Sequence, residues 1–232
     1  MKKSTITKAC LAVATAGAMV FLGATSASAT SPTTADAAAF EEFYDRYGVD
    51  EVTQNDLLEQ LAAGEILDSM TSGAEPVTTY ERDSAEQTEY VSVFEDGSIS
   101  VTGFEKPVEE VNEGGVGTRA VSDCTSYSGG GYASYANCLV SNGNGTMSLQ
   151  FRADYSRWAS GASISNARDA QVVAHYGTAT APTLTTVRAN ATPQQEAVVT
   201  MYSRFTSWNG LSSEDLYLSL RVNATQAWTT TY

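Results

Sequence analysis

Histidine occurs once in this chain and cysteine three times, and 13 lysines and arginines face 27 acidic residues. Each shortage removes a class of function. Cys10 lies in the N-terminal apolar run, read below as a cleaved leader, and the two cysteines and one histidine that remain do not make the four ligands of a structural zinc site. No His-Glu-x-x-His pattern, P-loop or calcium loop occurs. Nothing in the sequence therefore calls for a metal or another cofactor. A net charge of −14 gives nucleic acid and anionic lipid little to bind by charge. The sole histidine, His175, sits between Ala174 and Tyr176, and no serine has a nucleophile elbow around it. It reads as a structural residue. Beyond the N-terminal region no apolar run is long enough to cross a bilayer as a helix.

What is present begins with export. Lys2, Lys3 and Lys8 precede an apolar run from Ala9 to Ala24, and Ala27-Ser28-Ala29 supplies a small-residue cleavage site. This is the pattern of a secretory signal peptide over residues 1–29. Cleavage after Ala29 would remove Cys10 and leave 203 of the 232 residues, with Cys124 and Cys138 as the remaining cysteines. An even pair in an exported chain reads as a disulfide.

Charge divides the rest of the chain. From Thr30 to Arg119 there are 21 acidic and 4 basic residues; from Ala120 to Tyr232 there are 6 of each. Such asymmetry marks two segments of different character. In the first, Asp36–Tyr47 has a helical aromatic stripe (Phe40, Phe43, Tyr44, Tyr47), with Asp36 as the expected N-cap and Gly48 as a stop. Thr53-Gln54-Asn55-Asp56 resembles a capping box ahead of Leu57, Leu58, Leu61, Ile66 and Leu67, with Gly64 loosening the middle. Strands are expected at 77–81, 89–95 and 98–104, the last two closed by Asp96-Gly97. The segment 105–119, rich in glutamate and glycine, has linker composition. The expected organisation is an acidic helix-plus-hairpin module at 30–104, a linker at 105–119, and a β domain at 120–232.

Leu57-Leu58-Glu59 leading to Gly64-Glu65-Ile66-Leu67-Asp68-Ser69, followed by Phe94-Glu95-Asp96-Gly97-Ser98, resembles the N-terminal part of uncharacterised exported proteins of Gram-positive bacteria. Their pattern is Gly-Glu-x-Trp-Asp-Ser, and Leu67 takes the aromatic place here. The resemblance implies export and no particular activity.

The neutral segment reads as strands throughout. Met147, Leu149, Phe151, Ala153 and Tyr155 alternate with polar residues, as do Leu216, Leu218, Leu220, Val222 and Ala224. Further strands are expected at 170–176, 184–188 and 198–205, which makes a mainly β protein whose C-terminal part is an antiparallel β-sandwich. Two turn signals set the hairpins around the cysteines. Asn142-Gly143-Asn144-Gly145, centred between Gly143 and Asn144, pairs Val140 with Met147 and Cys138 with Leu149. A loop centred on Gly131 sets Cys124 opposite Cys138 and Tyr127 opposite Tyr135. In this register Tyr127, Tyr135 and Arg152 form an outward row beside Asn137 and Gln150. Aromatic planes next to a guanidinium and two amides suit a sugar ring and its hydroxyls.

The reading that these features favour is an exported, non-catalytic binding protein acting on a cell-surface or glycan ligand. A secreted toxin with the acidic half as a pro-region is the alternative; only then would a membrane be a partner, through the Thr-rich stretches at 178–186 and 229–232. An enzyme using two of Asp154, Asp169, Glu196, Glu214 and Asp215 is a third possibility. The export reading predicts a mature N-terminus at Thr30. Intact mass of the secreted protein checks it, and a retained Cys10 would contradict it.

Overall fold

The computed structural model of the protein describes residues 31–109 and 123–231. The expected leader and most of the expected linker lie outside them. The described residues form two helices and two sheets that pack face to face, a mainly β fold.

Helix α1 (Thr34–Arg46) starts one turn earlier than Asp36 suggests. Thr33 is the N-cap and Asp36 its capping-box partner, each side chain satisfying the other residue's backbone N–H. Phe40 and Tyr44, four residues apart, stack at 4.1 Å and are fully buried. Helix α2 (Glu51–Ala63) is capped by Asp50, whose carboxylate accepts from the N–H groups of Val52 and Thr53; the expected box at Thr53 lies inside the helix. Gly64 ends it in the left-handed region at φ +82°. This left-handed cap leaves Ile66 and Leu67 beyond the helix rather than continuing it, and a Cβ at Gly64 would also run into the Asn209 amide. The chain then forms a short 3-10 turn, Asp68–Met70. Here the two stretches that carry the family resemblance meet. The Asp68 N–H donates to Asp96 Oδ2 at 2.9 Å, and the Ser69 N–H to Ser98 Oγ at 2.9 Å.

The larger sheet has eight strands: β1 (Thr78–Asp83), β2 (Gln87–Val93), β3 (Ile99–Glu105), β4 (Val108–Glu109), β5 (Thr125–Gly129), β6 (Tyr132–Gly143), β7 (Met147–Trp158) and β8 (Gly161–Ala174). β1, a fully exposed edge strand, leads through β2 to β3. β6 is the hub. One of its edges pairs β5 over its first half and β3 over its second; the other pairs β7, which pairs β8. The acidic segment therefore does not form a sheet of its own, because β3 is hydrogen-bonded directly to β6. Glu105, first residue of the expected linker, closes β3 and is buried. Its carboxylate accepts N–H groups from Asp123 and Leu139. The smaller sheet has five strands: β9 (Gly177–Ala179), β10 (Thr183–Arg188), β11 (Ala197–Ser207), β12 (Ser213–Val222) and β13 (Ala227–Thr231). β12 stops short of the expected Ala224 because the Asn223 side chain turns the chain back, accepting from the N–H groups of Thr225 and Gln226.

Alternation places the main core between the sheets. Cys138, Val140, Met147, Leu149, Phe151, Ala153 and Tyr155 face Val199, Met201, Phe205, Leu218, Leu220 and Val222. A second core lies on the other face of the larger sheet, where α1 and α2 cover Val91, Ile99 and Val101 with Phe40, Tyr44, Leu57 and Leu61. His175 tethers α1 to the end of β8, its Nδ1 3.0 Å from Asp36 Oδ1.

Both expected hairpin registers are shifted. The β6–β7 turn forms around Asn144-Gly145, with Gly145 at φ +83°, so Val140 pairs Phe151 instead of Met147 and Cys138 pairs Ala153 instead of Leu149. A shift of four keeps every face. The β5–β6 turn uses two glycines, Gly130 and Gly131, both at positive φ, and slips by one, so that Tyr127 pairs Ser134 and Ser126 pairs Tyr135. A slip of one exchanges faces. A β-bulge at Ala136-Asn137 restores the inward parity for Cys138, which forms the disulfide with Cys124 at a Cα–Cα distance of 4.2 Å. The bridge closes a sequence separation of 14. In the chain-entropy account Cys138→Ala should therefore lower stability by about 3 kcal/mol. A Cys138→Ala denaturation midpoint equal to that of the oxidised parent protein would contradict this.

Candidate functional site

The outer face of the larger sheet changes character along its length. At one end the helices cover it. Beyond them β7 presents Gln150, Arg152, Asp154, Ser156 and Trp158 in alternation, and the strands on either side complete three zones.

The first zone is charged and fully bonded. Arg152 Nη1 donates to Glu105 Oε2 at 3.1 Å and to the Asn137 carbonyl at 2.6 Å. Arg168 donates to Asp154 Oδ1 at 3.1 Å and to Asn137 Oδ1 at 2.6 Å. Asp154 also takes the Asn137 N–H at 2.8 Å and the Asn166 amide at 2.9 Å. Burial acts to raise the Asp154 pKa, yet the Asn137 N–H, Asn166 and Arg168 together hold it below its ordinary value. Three residues of this zone, Asn137, Asn166 and Asp169, have positive φ. The carboxylate holds a backbone shape that these side chains tolerate better than most.

The second zone is a row of hydroxyls. Register aligns Tyr127, Ser134, Ser156 and Ser163 across β5, β6, β7 and β8. The third zone is aromatic and glycine-rich, aligning Gly129, Tyr132, Trp158 and Gly161 across the same strands. The glycines leave room for rings. A Cβ on Gly161 would lie 2.9 Å from the Trp158 ring, and one on Gly129 would lie 3.4 Å from the Tyr127 hydroxyl oxygen. The Tyr132 and Ser156 hydroxyls are 2.8 Å apart. Tyr127 and Tyr132 are 56% and 44% exposed. An open hollow of about 340 Å³ adjoins this end, bounded by Gly129, Gly131, Tyr132, Arg157, Trp158 and Ala224.

The residues expected to form one row are thus distributed. Tyr127 belongs to the exposed aromatic end. Asn137 and Arg152 belong to the charged zone, and Gln150 lies beyond it, bonded to Gln171. Tyr135 is a correction. The bulge leaves it on the core side, stacked on Tyr155 at 4.4 Å, with its hydroxyl accepting from Arg157. The sequence pattern alone did not single out Tyr132, Ser134, Ser156 and Trp158. Extending the alternation of β7 from Asp154 by two steps would have reached Ser156 and then Trp158. Of the carboxylates considered for catalysis, Asp154 pairs with Arg168, Glu196 with Arg221 and Asp215 with Arg204. Among the described residues no cluster of three or more His, Cys, Asp or Glu could hold a metal, and no helix is long and apolar enough to cross a membrane.

No known protein family matches this sequence, and neither does any curated protein. Among solved structures, a hypothetical protein from Listeria monocytogenes aligns with 63% of this chain and 94% of its own at 15% identity. Its TM-score is 0.34, a likeness too low to bear on fold or function.

Because Asp154 has a lowered pKa in the folded state, its contribution to stability is complete above the ordinary value of 3.8. It is lost as pH falls through the folded value. Asp154→Ala should cost about 2 kcal/mol at pH 7, the scale of hydrogen bonds to a charged group. The gap from the parent protein should shrink as the pH is lowered below that value. Denaturation curves at pH 7 and at pH 3 measure both, and a gap that stayed constant would be the contrary result.

Proposed function

We propose that the protein is exported and acts outside the cell as a non-catalytic binding module for a polyhydroxylated surface polymer, a glycan of the cell wall being the leading candidate. The observation that carries this reading is the aromatic end of the larger sheet. Tyr127 and Tyr132 are exposed on one open face, with Trp158 half-buried against Gly161 beside them and a row of serine hydroxyls adjoining. Rings of this kind stack on the apolar faces of sugars while neighbouring hydroxyls exchange hydrogen bonds with the ligand. The surface is open rather than enclosed, which suits a chain of sugars better than one small substrate. The signal-peptide pattern, the disulfide and the resemblance to exported Gram-positive proteins all support export.

Retention of the mature protein on purified cell-wall fractions and on defined glycans tests the reading, with vesicle leakage as the parallel arm for a toxin. Trp158→Ala and Tyr132→Ala should each weaken retention about tenfold or more, since an aromatic anchor contributes on the order of 1–3 kcal/mol. The fold should be unchanged, because neither ring lies in the core. Retention that survives both substitutions, or leakage without retention, would remove the proposal.

A further inference from the structure

A second site lies between the sheets, away from the aromatic face. At the end where the larger sheet continues through β3 to β2, a cleft of about 410 Å³ opens beside β13. Its walls are the loop after the 3-10 turn, hydroxyls of Ser92, Ser100 and Thr102, and the apolar side chains of Phe94, Met147 and Leu216. Glu75 is the only charged residue among those that line it. The volume is that of a small-molecule pocket, and the lining has no cation to hold an anionic ligand.

Two asparagines give the cleft its chemistry. Asn144 is 4% exposed, and its side-chain oxygen accepts from the Thr146 N–H at 3.0 Å, the Met147 N–H at 2.8 Å and the Thr146 hydroxyl at 2.8 Å. Backbone N–H groups can only donate, so the oxygen must face them and the amide nitrogen must face away. That nitrogen has no acceptor among the described residues, although Asn144 lines the cleft. Asn142, two residues earlier on the same wall, has the opposite arrangement. Its amide nitrogen donates to Ser100 Oγ at 2.9 Å, and to the Val101 carbonyl and Thr102 Oγ1, each at 3.3 Å. The Val101 carbonyl can only accept, which fixes the nitrogen there. The Asn142 oxygen accepts nothing among the described residues. The wall therefore offers one donor and one acceptor, on neighbouring side chains that the fold has already oriented.

We propose that this cleft binds an uncharged ligand through a secondary amide, with N-acetylated amino sugars as the class. The ligand carbonyl accepts from Asn144, its N–H donates to Asn142, and the acetyl methyl rests against Met147 and Leu216. The hydroxyls of Ser92, Ser100 and Thr102 line the same cleft; Ser92 is bonded to Thr79, and Ser100 and Thr102 accept from Asn142 while keeping their own protons to donate to ring hydroxyls. No residue of the cleft belongs to the aromatic face, so either site can fail without the other.

Nuclear magnetic resonance titration of the full mature protein decides it, with three probes: N-acetylglucosamine, glucose and N-acetylglycine methylamide. N-acetylglucosamine should shift the Asn144 side-chain amide resonances, and the other two should bind at least tenfold more weakly. Asn144→Asp keeps the oxygen that Thr146 and Met147 need and removes the donor, so it should weaken N-acetylglucosamine at least tenfold with little change in thermal stability. Ser92→Trp leaves both asparagines intact and should block the cleft sterically, which covers the case of an Asn144 variant that does not fold. Equal response to glucose would overturn the role of the amide. Equal binding of the small amide would overturn the sugar class. No response at the cleft to any probe would overturn the site.

Discussion

The bulge at Ala136-Asn137 is the constraint that sets the arrangement of the larger sheet. Two glycines close the first hairpin as a two-residue turn, which places Cys138 out of step with the core. One extra residue, held at φ +61° with its N–H on Asp154, puts it back in step. The same residue decides which tyrosines are buried. Before the bulge, Tyr135 points inward onto Tyr155 and Tyr132 points outward. After it, Cys138 and Val140 point inward. Asp154 thus supports at once the disulfide, the inner aromatic stack and the outer aromatic face. The surrounding guanidinium and amide groups keep its carboxylate charged for that task.

The second organising fact is that β6 has partners from both halves of the chain. The strongly acidic segment contributes β3, which pairs with β6, the strands β2 and β1 beyond it, and the two helices over them. Those helices bury Phe40, Tyr44, Leu57 and Leu61 against Val91, Ile99 and Val101. Cutting this segment away would expose that second core and leave half of one edge of β6 unpaired, a large cost by any measure of apolar area. A pro-region designed for removal would be expected to sit more lightly on its partner. The charge asymmetry of the sequence therefore coincides with a difference in surface, while the hydrogen-bonded sheet runs across it.

Patterns of period two were legible in the sequence wherever one face is dry. Met147 to Tyr155 all bury as their alternation implies, and so do Leu218, Leu220 and Val222. Turn chemistry was legible in kind but not in position, because Asn142-Gly143 and Asn144-Gly145 offer the same dihedral freedom and a shift of four between them leaves every side chain on the same face. The bulge left no sequence mark except an asparagine, one of the few residues that tolerate positive φ. The first half of β8 escaped notice because its outer residues are polar and its bulges at Asn166 and Asp169 break the alternation. Trp158 was hidden for a simpler reason: its meaning comes from Gly161 across the turn. The helix starts were missed by a few residues each, since Thr33 and Asp50 compete with equally plausible caps nearby.

The exposed edge strand β1 has a bearing on how copies of this protein meet one another. An open strand edge is a template on which another chain can add, and that addition can repeat without limit. Here the last three residues of that edge are Glu81, Arg82 and Asp83, all exposed. Asp83 is paired to Lys106 at 2.9 Å, and Arg82 donates to the Arg46 carbonyl at 2.8 Å. A strand arriving from a neighbouring copy would bring the same charges and would have to strip water from both sets. Charge rather than cover is what this edge sets against the addition of another copy.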